Sequence, residues 1–576
     1  MAFPSTRYLV LCCDYDGTLA HHGKVDERTL AACEQLRTSG RKLVLVTGRR
    51  IDDLATVFQR FDLFDLIVAE NGAVLHRPES REETLLGEPP PASFVTALRS
   101  RGVAPLEVGR VIVATHEPHE GAVLETIRDQ GLELQVTFNK GAVMVLPPGV
   151  NKATGLAAAL AELQLSPHNA VAVGDAENDH ALLHLCECAV AVANALPALK
   201  ARADIVTAGD HGAGVVELIE EILADDLAAR EPALVRHHIL LGRDEHGNEI
   251  RLPPHGCRAL VVGTSGGGKS TIAVGLMERL EAARYSFCVI DPEGDYEQVP
   301  FAVSIGDPGQ APSLEECADL LCRPGTNVIL NLLAVDLKDR PRYFENLLAR
   351  LGEIRVRTGH PHWLIVDEAH HVLAESAEPV AAVLDKRLAS ALLITVSPAL
   401  LPAAVLRTLD TLIVLGDKPQ EMFDEFTAAN DLPRVTLAGG PAQAGTAIVW
   451  DKRGGAPRRV RPERSRVERR RHVRKYAEGE LPPERSFFFR GPEGKLNLRA
   501  QNLIQFLELA DGVDDETWTF HLRSGDIAAW VHEAVKDEAL ARQLAGIAGD
   551  ESLDAATSRR KVREAVEATY TLPAGP

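Results

Sequence analysis

The sequence predicts an α/β protein with mainly parallel sheets, followed by a small helical region. From residue 1 to about 450, short apolar runs alternate with longer amphipathic stretches, which is typical of repeated strand–helix units. Several of these runs end in carboxylates, hydroxyls or glycines, as strands do at the functional edge of a parallel sheet. The predicted strands are residues 8–13, 42–46, 66–69, 170–173, 259–262, 287–290, 328–330, 363–366 and 392–395.

The composition is that of a globular protein with several domains. The chain has 576 residues, which exceeds what one hydrophobic core supports, so we expect two to four domains. A net charge of −20 argues against general affinity for nucleic acid or anionic membranes. There is no apolar run of membrane-spanning length, and Asp14 and Asp16 interrupt any N-terminal signal core. Together with nine cysteines that form no CxxC pair, this predicts a cytoplasmic protein with reduced core thiols and no membrane partner.

Changes in composition divide the chain into four segments. A charged stretch at 224–232 ends the first segment, residues 1–228. The second segment, 237–450, opens with two strands joined by a tight turn at 246–248. Residues 451–484 are predicted to be a basic linker, because the stretch 451–475 contains twelve basic and only three acidic residues. Residues 485–576 are predicted to be a helical module whose aromatic side chains form a small core, and no chemistry is assigned to it.

The first candidate site begins with the stretch LCCDYDGTL at residues 11–19. Asp14 and Asp16 lie at the end of an apolar strand, where burying two carboxylates is costly unless a cation lies between them. One carboxylate can be phosphorylated while the other protonates the leaving oxygen, and oxygen ligands favour Mg²⁺. Further polar residues follow other predicted strands, and these strand ends should converge. They are Thr47, Gly48, Arg49, Lys152, Asp175, Asn178 and Asp179.

These motifs resemble the haloacid dehalogenase-like (HAD) phosphatases, specifically the Cof-type branch, over about residues 5–225. The resemblance implies a Rossmann-like fold with an α+β cap at about 80–148 and a small phosphorylated metabolite, such as a sugar phosphate, as substrate. It implies that Asp14 is the nucleophile, that Asp16 is the general acid/base and that Lys152 is also catalytic. The implied phosphate and substrate ligands are Thr47, Gly48, Arg49, Asn71 and Asn178, and the implied Mg²⁺ ligands are Asp14, Asp16, Asp175 and Asp179.

The second candidate site is the stretch GTSGGGKST, which follows an apolar strand and fits GxxxxGK[ST]. In such a loop the backbone N–H groups surround phosphates, the lysine reaches the β- and γ-phosphates, and the following hydroxyl binds Mg²⁺. A second apolar strand ends in Asp367, expected to hold magnesium, and Glu368, expected to activate water. ATP is therefore the expected substrate of this region. Its predicted ligands are Gly263, Thr264, Ser265, Gly266, Gly267, Gly268, Lys269, Ser270 and Thr271, with Ser270 and Asp367 as metal ligands.

This loop, the preceding hairpin, IDPEGDY at 290–296 and VDEAHH at 366–371 resemble the HerA/FtsK-like ATPases over about 238–450. The resemblance implies a RecA-like P-loop fold and a homo-oligomer, most plausibly a hexameric ring. Arg407 is a candidate arginine finger, and a surface ion pair is the equal alternative for it. Two other functions stay open: a DNA motor with an accessory phosphatase domain, and a binding module switched by ATP. The basic segment could contact nucleic acid phosphates, but a solvated linker is favoured because the run contains no aromatic residue for stacking.

Overall fold

The computed structural model describes residues 6–264, 268–296, 299–373, 390–437, 445–465, 481, 483–535, 537–550 and 552–570. The chain forms two compact units, one of residues 1–297 with 301–463 and one of residues 298–300 with 464–576. The first unit contains two large sheets, each with its own helices. Among the described residues, no helix combines the length and the apolar character that crossing a membrane requires.

The first sheet has eight strands in the order β12-β11-β10-β1-β2-β3-β4-β5, of which β12 to β3 are parallel. Every residue of β1 is buried, as expected where helices cover both faces of a parallel sheet. The strands up to residue 228 are β1 (Val10–Asp14), β2 (Lys42–Val46), β3 (Leu66–Ala69), β4 (Val74–Arg77), β5 (Glu82–Leu85), β6 (Glu107–Val108), β7 (Val113–His116), β8 (Gln135–Asn139), β9 (Ala142–Leu146), β10 (Ala170–Gly174), β11 (Cys188–Ala191) and β12 (Ile205–Val206). The helices are α1 (Glu27–Thr38), α2 (Ile51–Val57), α3 (Ala92–Ser100), α4 (Glu120–Asp129), α5 (Lys152–Glu162), α6 (His180–Leu185), α7 (Pro197–Lys200) and α8 (His211–Asp225).

The cap is a four-stranded antiparallel sheet in the order β6-β7-β9-β8, accompanied by α3 and α4. Apolar residues of both helices and of β7 and β9 form its own small core. The predicted start at residue 80 is too early, because β5 pairs with β4 and is an edge strand of the main sheet. The cap elements therefore run from Ala92 to Leu146.

The second sheet has eleven strands in the order β14-β13-β23-β22-β21-β15-β20-β19-β16-β18-β17. The strands from β21 to β17 are parallel, and the first four form an antiparallel flank. Its strands are β13 (Ile239–Asp244), β14 (Glu249–Leu252), β15 (Arg258–Val262), β16 (Phe287–Asp291), β17 (Val303–Ile305), β18 (Val328–Asn331), β19 (Trp363–Val366), β20 (Ser390–Thr395), β21 (Thr411–Val414), β22 (Ala447–Asp451) and β23 (Arg458–Pro462). Its helices are α9 (Lys269–Ala282), α10 (Leu314–Leu321), α11 (Arg340–Thr358), α12 (Ala403–Thr408) and α13 (Pro419–Ala429).

The start of the predicted basic linker, which was expected to follow residue 450, belongs to this sheet. Strand β23 pairs with both β13 and β22, and Val460 is buried between exposed or half-buried arginines. The prediction failed here because the high arginine content hides a period-two pattern around one apolar residue. Residues 466–475 of the basic run lie outside the described residues.

The C-terminal unit is not purely helical. Phe487–Phe489 and Leu498–Ala500 pair as a short antiparallel hairpin, although both lie in the segment that was predicted to be helical overall. In a strand, consecutive side chains point to opposite faces, so adjacent phenylalanines are accommodated on both faces of the hairpin. The helices are α14 (Leu503–Gly512), α15 (Asp515–Arg523), α16 (Asp526–Trp530), α17 (Glu538–Gly549) and α18 (Ala555–Tyr570), and the hairpin strands are β24 and β25.

A buried polar cluster joins the two parts of the first compact unit. The Glu187 carboxylate accepts hydrogen bonds from Arg7 NH2 at 2.7 Å, from Tyr285 OH at 2.6 Å and from His168 Nδ1 at 2.6 Å. His168 Nε2 lies 2.7 Å from the carbonyl oxygen of Ala283. Burial by itself would raise the pKa of Glu187, but the hydrogen bond from His168 and the nearby positive charges hold the pKa well below its usual range. Glu187 is therefore an ionised residue in a dry interface.

Candidate functional site

The most buried charged cluster lies where β1 and β10 end. Lys152 Nζ is 2.5 Å from Asp14 Oδ1 and 2.6 Å from Asp179 Oδ1, and all three side chains are almost fully buried. Burial and the neighbouring Asp179 raise the pKa of Asp14 to about 8, while Lys152 acts in the opposite direction. Two carboxylates that share one ammonium group in a dry site carry an excess of negative charge, which a bound cation would offset.

The local sequence explains how Lys152 reaches Asp14. Helix α5 begins at Lys152, and Asn151 caps it by accepting hydrogen bonds from the backbone N–H groups of Ala153 and Thr154. Gly72 lets this helix start come close, because a Cβ atom there would lie 1.9 Å from the Asn151 carbonyl oxygen. Gly155 is needed for the same reason on the helix side. The close approach therefore places the first side chain of the helix at the end of β1.

The carboxylates fit a magnesium ion. Asp14, Asp175 and Asp179 each offer an oxygen, and these oxygens lie within 4.8 Å of one another. Asp179 is held in place by backbone N–H groups of Asp175 at 2.9 Å and Ala176 at 3.0 Å. Thr18 Oγ1 donates to Asp175 Oδ1 at 3.2 Å. An anionic, oxygen-only ligand set is the kind that Mg²⁺ prefers.

Asp16, which was expected to bind metal as well, directs its carboxylate elsewhere. Its two oxygens accept hydrogen bonds from Arg49 Nε at 2.6 Å and Arg49 NH2 at 2.9 Å. Arg49 also pairs with Asp53 at 2.6 Å, so its guanidinium is bound to two carboxylates rather than facing an open phosphate position. The Asp16 side chain is 42% exposed, in contrast to buried Asp14. Asp16 therefore lies at the rim of the site, where a proton donor can meet a leaving group.

The other predicted substrate ligands also lie at this edge of the sheet. Asn178 Nδ2 donates to Asn71 Oδ1 at 3.0 Å, and a Cβ atom on Gly48 would lie 3.9 Å from Asn178 Nδ2. Thr47 follows β2, and its Oγ1 accepts a hydrogen bond from the backbone N–H of Arg49. The structure therefore brings together the residues that the sequence scattered between positions 14 and 179.

Two residues of this site were not predicted, and both involve the cap. Lys140, in the turn between β8 and β9, places Nζ 2.7 Å from Asp175 Oδ2 and 3.4 Å from the carbonyl oxygen of Asp16. Burial lowers the pKa of Lys140, but the hydrogen bond and charge of Asp175 and the charge of Asp14 outweigh this and raise the pKa. No local signal marks this lysine, because its position depends on how the cap docks.

Glu70 fixes the cap to the main sheet. It is buried, and its carboxylate accepts hydrogen bonds from the backbone N–H groups of Arg110 at 2.7 Å, Val111 at 2.8 Å and Ile112 at 2.9 Å. Glu70 and Asn71 both have positive φ angles, so the chain turns sharply after β3. Glu70 is thus the residue that holds the loop before β7 in place.

The second candidate site lies at the carboxyl ends of β15, β19 and β20, and β20 lies between the other two. Lys269, the first residue of α9, is buried and donates from Nζ to the Gly263 carbonyl oxygen at 3.0 Å. Its Nζ is 4.0 Å from Glu368 Oε1. The first turn of α9 contains Ser270 and Thr271, and Gly268 precedes the helix as its N-cap residue. Of the remaining loop residues, Thr264 lies shortly after β15, and residues 265–267 are outside the described part of the chain.

The acidic residues of this second site are in unusual environments. Burial raises the pKa of Asp367 to about 6, although the neighbouring Tyr296 acts against this. Glu368 has a φ of 37°, in the left-handed region, and its Oε2 is enclosed without a hydrogen-bond partner among the described residues. His370 Nδ1 lies 3.5 Å from that oxygen and 3.1 Å from Thr395 Oγ1. By contrast, Arg407 is exposed and pairs with Asp431 at 3.3 Å.

Comparison with known proteins identifies the family of the domain that contains the first site. The family model of haloacid dehalogenase-like hydrolases matches residues 11–97 and 106–219. Phosphoglycolate phosphatase 2 of Saccharolobus solfataricus is 30% identical over 228 residues, which are 38% of this chain and 93% of that protein. A phosphoglycolate phosphatase of Methanothermobacter thermautotrophicus is 30% identical over 222 residues, 36% of this chain and 96% of that protein.

A solved structure covers the same part of the chain. The crystal structure of a haloacid dehalogenase-like hydrolase from Bacteroides thetaiotaomicron covers 37% of this chain and 99% of its own, with 21% identity and a TM-score of 0.33. The assignment depends on the family match and on the two archaeal relatives. The segments that the family model matches contain Asp14, Thr47, Lys152 and Asp175. The first 230 or so residues are therefore a Cof-type HAD domain, and through them the chain belongs to the haloacid dehalogenase-like hydrolase family.

Proposed function

We propose that the HAD domain is a Mg²⁺-dependent phosphatase for small phosphorylated metabolites. The observation that carries this proposal is the buried Asp14–Lys152–Asp179 cluster with Asp175 beside it. Asp14 would attack phosphorus, so that a bond from its carboxylate oxygen forms while the bond to the leaving oxygen breaks. Asp16 at the rim would give that oxygen a proton, and then activate the water that hydrolyses the aspartyl phosphate. Lys152 would offset the charge of the transferring group, and bound Mg²⁺ would supply further neutralisation.

A small phosphorylated acid is the substrate class that the cap favours. Lys140 brings one ammonium group from the cap to the rim of the site, where it faces Asp175. A substrate with a carboxylate near its phosphate could take this ammonium as its partner, as charge complementarity requires. The two relatives described above are phosphoglycolate phosphatases, and this supports 2-phosphoglycolate as the first compound to test against sugar phosphates.

The test is phosphatase activity of the full chain with Mg²⁺ on 2-phosphoglycolate, other phosphorylated acids and sugar phosphates. Asp14→Asn should reduce turnover at least about a thousandfold, because the amide is not a nucleophile. Asp62→Asn is the matched control, since Asp62 pairs with Arg60 on the surface. Full activity of Asp14→Asn would contradict the proposal. Hydrolysis of sugar phosphates alone would retain the phosphatase but reject the acid substrate.

The second proposed activity is ATP hydrolysis by residues 237–450. It is favoured by the convergence of Lys269, Asp367 and Glu368, with β20 between their strands. The lysine would contact the β- and γ-phosphates, Ser270 and Asp367 would hold Mg²⁺, and Glu368 would activate water. A DNA motor and an ATP-switched binding module remain alternatives. DNA-stimulated ATPase activity would favour the motor, and tight ATP binding with negligible turnover would favour the switch.

Two variants test this second activity. Lys269→Ala should weaken ATP binding because it removes the positive charge, whereas Glu368→Gln should retain binding and slow hydrolysis about a hundredfold or more because an amide is not a base. Glu421→Gln, on an exposed helix position, is the control for the second change. Unchanged hydrolysis in Glu368→Gln would show that the catalytic carboxylate is elsewhere.

We also propose that this ATPase part assembles head to tail into a closed ring, with a hexamer as the first expectation. The chain has one P-loop motif, so a finger such as Arg407 would have to come from another copy. Light scattering with a non-hydrolysable ATP analogue tests the assembly. A mass near the 62.3 kDa of one chain at micromolar concentration would contradict it.

A further inference from the structure

Arg355 is a buried arginine, and none of the described residues forms an ion pair with it. It lies near the end of α11 and is only 8% exposed. Its Nε and NH1 atoms are enclosed, and none of the described residues accepts a hydrogen bond from them. Burial alone lowers the pKa of Arg355 to about 10, and no carboxylate among the described residues acts against this. Since Arg is a strong donor with a positive charge, such burial is costly unless an acceptor arrives from outside the chain.

The other cations around this position are already paired, which singles out Arg355. Each of them forms an ion pair that also satisfies part of its hydrogen-bonding capacity. The pairs are Arg7 with Glu187 and Glu231, Arg258 with Asp410, and Arg453 with Asp451. Of the acidic residues that line the cavity, Glu231 pairs with Arg7, and Asp226 binds Arg41 and the backbone N–H groups of Arg7 and Tyr8. The third, Asp225, is exposed and accepts a hydrogen bond from the backbone N–H of Ala229.

Arg355 lines a cavity of about 550 Å³ between the HAD domain and the second sheet. Three other lining residues have enclosed polar atoms without partners among the described residues: Nε of Arg7, Oδ1 of Asn169 and Nε2 of His255. Asn169 belongs to the HAD domain, whereas Arg355 and His255 belong to the second part. His255 Nε2 lies 3.6 Å from Glu187, which is too far for a hydrogen bond. Four residues with unsatisfied polar atoms, Arg355 included, thus line one cavity.

We propose that this cavity binds a small molecule that carries a phosphate group, with Arg355 as its principal ligand. Adjacent N–H groups of a guanidinium form a fork that matches two oxygens of a phosphate. The volume falls within the range of small-molecule sites and exceeds what one phosphate ion fills, so a phosphate monoester is favoured over the free ion. Asn169 Oδ1 would accept a hydrogen bond from a hydroxyl group of that molecule, and His255 Nε2 is available to another polar group.

This site is separate from both proposed catalytic centres. Its lining contains none of the carboxylates around Asp14 and none of the residues around Lys269. The ligand would contact both parts of the first compact unit, because Asn169 and Arg355 come from different parts. Binding should therefore stabilise their association, in addition to satisfying the buried charge.

The experiment is equilibrium dialysis of the full chain with labelled probes in EDTA. Removal of divalent cations limits phosphate binding at the carboxylate cluster, and a Lys269→Ala background weakens binding at the P-loop. The probes are orthophosphate, ribose 5-phosphate and AMP, with ribose and adenosine as matched compounds that lack phosphate. Arg355→Met should weaken binding of at least one phosphate probe tenfold or more and remove one site per chain. Arg350→Met is the control, because Arg350 is exposed on the same helix and pairs with Glu353.

The choice of probe distinguishes free phosphate from a phosphate ester. Tighter, Arg355-dependent binding of either monoester supports the proposal as stated. Arg355-dependent binding of orthophosphate alone supports the phosphate site but contradicts the choice of a monoester as its ligand. Equal affinity and stoichiometry of the parent and Arg355→Met for every probe would overturn the proposal. Equal affinity for ribose and ribose 5-phosphate, and for adenosine and AMP, would also overturn the proposal.

A thermal-unfolding series provides a second readout. The melting temperature of the parent should rise with the bound ester, while that of Arg355→Met should not respond. Without ligand, Arg355→Met should melt at or above the parent, because it removes an unpaired buried charge. If this variant does not fold, Arg355→Lys is measured instead, since it retains the charge but lacks the fork. Ligand-dependent stabilisation of Arg355→Lys equal to that of the parent would contradict the role of the fork.

Discussion

Replacing Glu187 by glutamine should destabilise the interface between the HAD domain and the second sheet. The change retains the size of the side chain and removes its charge. One carboxylate oxygen accepts from Arg7, and the other accepts from His168 and Tyr285. Glutamine has one oxygen and one NH₂ group, so at least one of these donors would face another donor. Because the side chain is almost fully buried, water cannot replace the lost acceptor.

The expected loss of unfolding free energy is about 3–5 kcal/mol, the range for breaking a buried ion pair on one side. The contacts lead to a similar figure. A hydrogen bond to a charged group contributes about 1.5–3 kcal/mol, and the substitution removes at least one and weakens the others. Solvent screening does not reduce this estimate, because Glu187 and Arg7 are both largely buried.

Urea-induced unfolding of the full chain, followed by circular dichroism, measures the loss in the transition that includes both sheets. Glu220→Gln is the matched control, because Glu220 forms an exposed pair with Arg28. A loss below about 1 kcal/mol for Glu187→Gln would refute the reasoning, since that is the range of exposed pairs.

The effect of pH supplies an independent check on the same residue. Since the folded-state pKa of Glu187 is depressed, its stabilisation is fully present above the unfolded value of about 4.3. It is lost as the pH falls from there through the folded pKa. The difference in unfolding free energy between the parent and Glu187→Gln should therefore be constant near neutrality and shrink in acid. A difference that grows in acid would contradict the assignment of an ionised Glu187.

Two further predictions concern the cap. Lys140→Met should raise KM for phosphorylated acids about tenfold and change KM for sugar phosphates little, because only the acids lose a charge partner. Steady-state kinetics measures this, with Arg128→Met as a control substitution in the cap. Equal changes of KM for both substrate classes would contradict the prediction. Glu70→Gln should speed hydrogen exchange of the backbone amides of Arg110, Val111 and Ile112 at least tenfold, because one amide oxygen cannot accept all three hydrogen bonds. Hydrogen-exchange mass spectrometry measures this, with Glu83→Gln as the control. Unchanged protection of these amides would contradict the prediction.

The parallel strands could be predicted from the sequence because they are buried on both faces. The predicted bounds of strands 42–46, 66–69 and 363–366 match those in the structure. A short, continuous apolar run indicates a strand that is buried on both faces of a covered sheet. The arginine-rich strand β23 was missed because its buried face consists of one valine. The strand Phe487–Phe489 was missed because three adjacent aromatic residues have no distinguishing period.

The buried cluster around Asp14 was predictable for a different reason, since most of its residues lie at the ends of neighbouring parallel strands. Asp14, Lys152, Asp175 and Asp179 converge because the sheet brings their strand ends or helix start to one edge. The roles of Arg49 and Lys140 could not be deduced in this way. Arg49 had equally plausible partners in phosphate and in nearby carboxylates, and the position of Lys140 depends on the docking of a separate sheet.

The interface between the two sheets has more polar character than simple attachment of the domains requires. An apolar interface of similar size would hold two domains together without the desolvation of Arg7, Glu187 and Arg355. Glu187 is fully satisfied by its donors, so it contributes to a specific geometry. Arg355 lies beside the same interface, and no described residue accepts a hydrogen bond from its Nε or NH1, so these atoms would gain a partner when an anion binds. Glu187 with its donors fixes the position of the contact, and Arg355 would make the same contact respond to a ligand. The phosphate-bearing metabolites on which the HAD domain is proposed to act belong to the class of ligand that Arg355 would bind.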